Sequence, residues 1–216
     1  MIGQPTHRQV LLLASAQALF QTASVLVMTI GGLAGGQIAP TPQLATAPIA
    51  AMFLGTAAIT VPASMWMARV GRRPGFVAGA LAGTLGGILA ALGIWVGSLA
   101  LLSFGTFLVG AYQGFAQFYR FAAAEVADTA FRPRAIALVL AGGIVAALLG
   151  PMLGQIGGPL FESEYAGSFL LLAVMSLLAA GLLLRLRVPA PHTAGDPAGA
   201  RPLRVIVRQP TYLVAL

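Results

Sequence analysis

The sequence predicts an all-α integral membrane protein built from six transmembrane helices, and three observations carry that expectation. Charged residues make up 8% of the 216 and hydrophobic residues 58%, with a mean hydropathy of +0.91. A soluble domain carries about 25% charged residues, so this chain lacks the polar surface to dissolve itself. Six separate apolar runs, 10–36, 44–67, 75–97, 99–124, 135–158 and 166–187, each reach the roughly 20 residues that cross the hydrocarbon. Finally, all twelve basic residues are arginines, and every one falls on the same side of the resulting topology.

The first run follows a short N-terminal stretch, Met1 to Arg8, and is about 26 residues long, too long for a signal-peptide core. It reads as a first transmembrane helix that also anchors the chain. Gln37 to Gln43, with Pro40 and Pro42 and no charge, joins it to the second run. The second and third runs meet at a cationic turn, SMWMARVGRRPG from Ser64 to Gly75. Arg69, Arg72 and Arg73 cannot enter hydrocarbon cheaply, so this turn meets water. Gly71 permits the tight reversal, and Pro74 suits the first turn of the next helix.

Little more than Gly97 and Ser98 separates the third run from the fourth. Glu125, Asp128, Arg132 and Arg134 form a mixed cluster between the fourth and fifth, and Pro159, Glu162 and Glu164 lie between the fifth and sixth. The arginine-rich side is expected to be cytoplasmic, so both ends of the six-helix unit (1–187) face the cytoplasm. Residues 188–204, rich in Pro, Ala and Gly, read as a flexible linker. Residues 205–216 approach the membrane again and read as the start of a truncated seventh helix, because six apolar residues cannot span a bilayer.

Polar side chains inside hydrocarbon are costly and face a bundle interior or a watery cavity. Gln17, Gln21 and Ser24 share one face of the first run with Met28. Tyr112, Gln113, Gln117 and Arg120 lie largely on one face of the fourth. The third and sixth runs offer little beyond Thr84, Ser168 and Ser176. This asymmetry predicts a substrate cavity walled by some helices and a lipid-facing scaffold made of others. The glutamines are equally suited to bonding between helices, and Arg120 to snorkelling toward headgroups. Glycines at 75, 79, 83 and 87, and at 110 and 114, make smooth ridges on which membrane helices approach closely.

These features also exclude functions. The net charge of +7 and pI near 11.3 come from arginines at the ends of apolar runs, which is membrane orientation and not a nucleic-acid surface. There is no cysteine, and both histidines, His7 and His192, lie outside the runs. An intramembrane hydrolase or metalloenzyme has no nucleophile–base pair or ligand set to use, so no enzymatic activity, metal or cofactor is expected.

The turn at 64–73 resembles the G-x-x-x-D-R-x-G-R-R motif between the second and third helices of the major facilitator superfamily. Arg69, Gly71, Arg72 and Arg73 match it, while Ser64 replaces the leading Gly and Ala68 the Asp. That Asp latches the two halves of the family's transporters on the cytoplasmic side, and Glu125 is the acid here that can take its part. Gly150-Pro151-Met-Leu-Gly154-Gln is similar to the Gly-Pro motif of the family's antiporters. GAYQG at 110–114 matches R-x-x-Q-G without its Arg. More narrowly, GFAQFYRFAAAEVA and RQPTYLVAL are similar to a bacterial branch that includes CcoA-like copper importers and riboflavin importers.

The resemblance implies the N-terminal half of a twelve-helix transporter in a bacterial plasma membrane. Its expected partners are the lipid bilayer, a small-molecule or ion substrate, and a C-terminal six-helix half. Helices one, two, four and five would line the cavity. Gln17, Gln21, Tyr112, Gln113, Gln117 and Arg120 would be wall residues, and Arg69, Gly71, Arg72, Arg73, Glu125 and Arg134 a cytoplasmic gate. A non-transporting or self-associating six-helix scaffold is the alternative.

Overall fold

A backbone in hydrocarbon must satisfy its hydrogen bonds within its own segment, which leaves the helix as the form for a single apolar run. The computed structural model describes residues 5–160 and 163–188, and there the six runs are six apolar spans. The linker beyond Val188, the beginning of a seventh helix, and Glu162 lie outside the described residues. The helices are α1 (Pro5–Ile38), α2 (Ala47–Val70), α3 (Arg72–Trp95), α4 (Leu99–Ala116), α5 (Tyr119–Val126), α6 (Arg132–Gly157) and α7 (Ala166–Leu183). At 1.5 Å per residue α1 runs about 50 Å, longer than the roughly 30 Å of hydrocarbon.

The fourth run is not one helix. It breaks at Gln117 and Phe118, where the Phe118 N–H bonds to the Phe115 carbonyl three residues back at 3.1 Å. This tightened turn re-aims the chain, so that α5 buries Tyr119, Ala122 and Ala123 and packs on α1 and α6. A single continuous rod from 99 to 124 is therefore corrected to a span of two helices.

The joints between spans have identifiable causes. Gly71 alone separates α2 from α3, at φ 95° and ψ 163°, a region that is essentially glycine's own. Pro74 falls in the first turn of α3, where its missing N–H had no helical partner to lose. Gly97 closes α3 in the left-handed region, and the Ser98 hydroxyl then caps α4 by accepting from the Leu101 N–H at 3.3 Å. Asp128 holds the start of α6, its carboxylate accepting from the Phe131 N–H at 2.8 Å.

Packing runs in the order α6–α1–α7–α3–α4–α2, with α1 also touching α4. The first three spans and the second three use the same pattern: α2 packs on α4 as α6 packs on α1, and α3 packs on α7 at the centre. Because α1 and α4 run in opposite directions, the two three-helix units are inverted copies in arrangement, the organisation by which membrane bundles place a site at mid-depth. Glycine makes the crossings close. A Cβ on Gly110 would lie 1.9 Å from the Met52 carbonyl oxygen, and one on Gly142 2.9 Å from the Ala18 nitrogen. Gly79 and Gly83 of the α3 ridge receive the rings of Phe115 and Tyr112, while Gly87 meets the α7 backbone.

Burial differs from helix to helix. The plain helices α3 and α7 are buried over about half of each span, 50% and 56%, as the polar-striped first and fourth spans are. The spans containing α2 and α6 are buried over 17% and 22% and present the widest apolar surfaces. Helices with few polar groups and many small residues pack tightly at the centre.

Candidate functional site

The apolar core divides into two clusters along the helices. One, with Leu13, Phe76, Tyr119 and Leu183, sits toward the arginine-bearing end; the other, with Leu26, Met52, Leu102 and Phe169, toward the opposite end. A cavity of about 290 Å³ opens beside their junction. From α1 it takes Gln17, Phe20, Gln21, Ser24, Val25 and Met28. From the fourth span come Gln113, Ala116, Gln117 and Arg120, and from α6 Val139 and Leu140. Gln21 is at the middle of α1 and Gln113 at the middle of the span formed by α4 and α5, so amides from both meet at mid-depth. Spacings of three and four residues put these side chains on one helical face.

Five of the six expected wall residues thus come together: Gln17, Gln21, Gln113, Gln117 and Arg120. Tyr112 does not join them. It is fully buried behind the wall, its ring edge-on to Phe20 at 5.0 Å and seated on Gly83. A residue next to Gln113 is turned 100° around the helix, which aims Tyr112 toward α3. The expectation that α2 lines the cavity is also not met here, since this cavity takes no residue from α2.

The wall is uncharged apart from Arg120, whose guanidinium lies over the Phe121 ring at 4.9 Å, a cation–π contact that orients it. No carboxylate lines the cavity. Gln17 is nine-tenths buried, and the side-chain amide oxygens of Gln21 and Gln113 are buried with no hydrogen-bond partner among the described residues. Phe20, Val25, Val139 and Leu140 complete an amphipathic wall. Sequence reasoning missed these four because an apolar residue facing a cavity has the same signature as one facing lipid.

At the arginine-bearing end, Arg72 of α3 grips Glu125 of α5 in a two-pronged ion pair, Nε donating to Oε2 at 2.7 Å and Nη2 to Oε1. Arg69, Arg73 and Arg134 are exposed, and Arg132 donates to the Ala124 carbonyl at 3.0 Å. Of the expected gate, the structure joins Arg72, at the start of α3 just after the Gly71 turn, to Glu125 of α5. The same end is tied by the Arg187 N–H donating to the Gln9 amide oxygen at 2.7 Å. At the far end, the Gln37 amide donates to Glu164. Gly150 and Gly154 face α1, against Val25 and Ile30, while Pro151 interrupts the hydrogen-bond ladder between them. The Gly-Pro motif is thus a close helix crossing beside the cavity.

Six apolar spans in two inverted triplets, with an amide-lined cavity at mid-depth, define an integral membrane protein. Residues 11–216 match the sequence profile of the Major Facilitator Superfamily, and the chain belongs to that family. It is 38% identical over 215 residues to the riboflavin transporter RfnT of Brucella anthropi, covering 97% of this chain and 54% of that protein. It is 27% identical over 190 residues to YdeG, an uncharacterized MFS-type transporter of Bacillus subtilis, covering 86% of this chain and 44% of that one. The chain therefore spans about half the length of these relatives. Its fold is similar to the crystal structure of the E. coli fucose:proton symporter FucP, with a TM-score of 0.68 at 18% identity, over 91% of this chain and 54% of that one.

Proposed function

We propose that this chain is the N-terminal six-helix half of a secondary transporter that moves riboflavin, or a closely similar neutral heterocycle, by alternating access. The observation that carries the reading is the set of glutamine side chains held at mid-depth by α1 and α4 around one cavity. Polar groups placed there cost free energy unless they are used, and rocking bundles bind their solute at that depth. The similarity to a riboflavin transporter supports the substrate. A wall of amides with aromatic and aliphatic faces, charged only at Arg120, suits a planar ring system with a hydrogen-bonding edge. A cation such as copper finds one thioether there, Met28, and no carboxylate.

In this reading the arginine-bearing end is cytoplasmic, the N-terminus faces the cytoplasm, and the membrane is the bacterial plasma membrane. A second six-helix half covers the exposed faces of α2 and α6. Arg72 and Glu125 act as a gate that holds one access state, together with Arg69, Gly71, Arg73 and Arg134. The cargo leaves chemically unchanged, without enzymatic turnover.

Uptake of riboflavin by cells expressing the full reading frame tests the proposal, with copper uptake measured alongside. Replacing Gln17→Leu together with Gln113→Leu removes two amides without removing volume. At about 0.5–1.5 kcal/mol per hydrogen bond, uptake at low riboflavin concentration should fall roughly tenfold at equal protein level. Unchanged uptake by that variant would sink the cavity assignment.

A further inference from the structure

Adjacent glycines on α6 face different things. A Cβ on Gly142 would meet backbone, lying 2.9 Å from the Ala18 nitrogen and 3.2 Å from the Ala14 carbonyl oxygen. A Cβ on Gly143 would meet only the end of one flexible side chain: its three nearest atoms are the Gln21 amide Oε1 at 2.8 Å, Cδ at 3.6 Å and Nε2 at 3.7 Å. Gly142 is therefore needed for two helices to touch. Gly143 is not; its missing side chain leaves a recess, and the amide of a cavity-wall residue fills it.

Among the described residues no hydrogen bond holds that amide, and its oxygen is buried without a partner. The amide tip lies over Gly143, where a side chain would begin, so the space left by the glycine is part of what seats it. Gln17 and Phe20 from the same helix and Gln113 and Gln117 from the fourth span line the same cavity, so a displacement of the Gln21 tip toward the centre changes both the free volume and the polar edge offered to a solute.

We propose that Gly143 is a positioning residue for the substrate site: it seats the Gln21 amide against α6 and thereby sets how much of the cavity, and which hydrogen-bonding edge, the solute meets. This rests on the cavity being the substrate site, as proposed above. Filling the recess with a methyl group drives the amide into the cavity and leaves the α1–α6 contact intact.

The test is riboflavin uptake by the complete protein carrying Gly143→Ala, Gln21→Ala, or both. Gly143→Ala should shift KM at least about threefold, the coupling expected for two groups in contact, with maximal rate and membrane protein level retained. In the Gln21→Ala background the same substitution should do nothing. An unchanged KM in Gly143→Ala, or a shift that persists without the glutamine, overturns the proposal. If Gln21→Ala itself leaves uptake unaltered, the substrate-site reading fails with it, whereas a Gln21 effect beside a silent Gly143→Ala sinks only the positioning role.

A second measurement needs no substrate. The chain contains no cysteine, so Gly143→Cys reports on the recess through its rate of reaction with a water-soluble methanethiosulfonate. The displaced Gln21 side chain still lies between the thiol and the cavity, so Gln21→Ala should speed that reaction several-fold; equal rates refute the contact between the two positions. As a contrast, Gly142→Ala should lower the melting midpoint whether or not Gln21 is present, and a loss that required Gln21 would contradict the division between the two glycines.

Discussion

The α2–α4 crossing offers a direct measure of how far this fold depends on glycine. An ideal Cβ on Gly110 falls 1.9 Å from the Met52 carbonyl oxygen and 2.8 Å from its carbon. Ordinary contact begins near 3.4 Å, so Gly110→Ala requires α2 to retreat by about 1.5 Å. The crossing has no slack in the other direction either, because a Cβ on Gly55 would lie 2.1 Å from the Phe107 carbonyl oxygen. Retreat also stretches the bond from the Thr56 hydroxyl to the Gly110 carbonyl, now 3.1 Å.

Overpacking of this kind costs about 1–3 kcal/mol, and an interhelical hydrogen bond in a membrane about 0.6 kcal/mol. Less the helix-propensity gain of Ala over Gly, the expected loss is roughly 1–2.5 kcal/mol, a fall of about 2–10 °C in melting midpoint for a domain of this size. Helix propensity alone has the opposite sign, favouring Ala over Gly by about 1 kcal/mol. The assay is the thermal transition of purified protein in mild detergent, with Gly181→Ala as the internal comparison. A Cβ at Gly181 meets nothing within 4 Å, so that variant should be neutral or slightly stabilising. If Gly110→Ala melted at or above the unaltered protein, the reading of α2 and α4 as backbone-to-backbone partners would be refuted.

Other expectations follow from the two ends of the bundle. The Arg72–Glu125 pair is partly open, its side chains 24% and 46% exposed, so Glu125→Gln should cost at most about 1 kcal/mol of stability. Its effect should fall on transport rate, and a melting loss well beyond that bound would mean the pair is a structural staple and not a gate. Arg73→Cys and Gln43→Cys, both at exposed positions, should be labelled by a membrane-impermeant maleimide from opposite compartments. Labelling of both from one side would overturn the orientation.

Much of this protein was legible in its residues because hydrocarbon imposes severe terms on a chain. Backbone groups there have no water to bond, so six runs of sufficient apolar length had to be helices. Guanidinium groups cannot be left in the core, so the arginines marked the span ends. The one-residue turn at Gly71 was readable for the same local reason: a reversal that tight needs a backbone conformation open to glycine. The amides on α1 and α4 could be assigned to single faces by helical spacing alone.

What spacing could not say is which neighbour each face meets. Tyr112 and Gln113 are adjacent and both polar, yet only packing against Gly83 and Phe20 decides that one is core and the other wall. The break before Tyr119 carries no proline or glycine of its own and arises where α5 finds burial on α1 and α6. Likewise, nothing local separates Gly142 from Gly143. One touches the backbone of α1 and the other the tip of Gln21, and that difference exists only once two helices, more than a hundred residues apart in the chain, lie side by side.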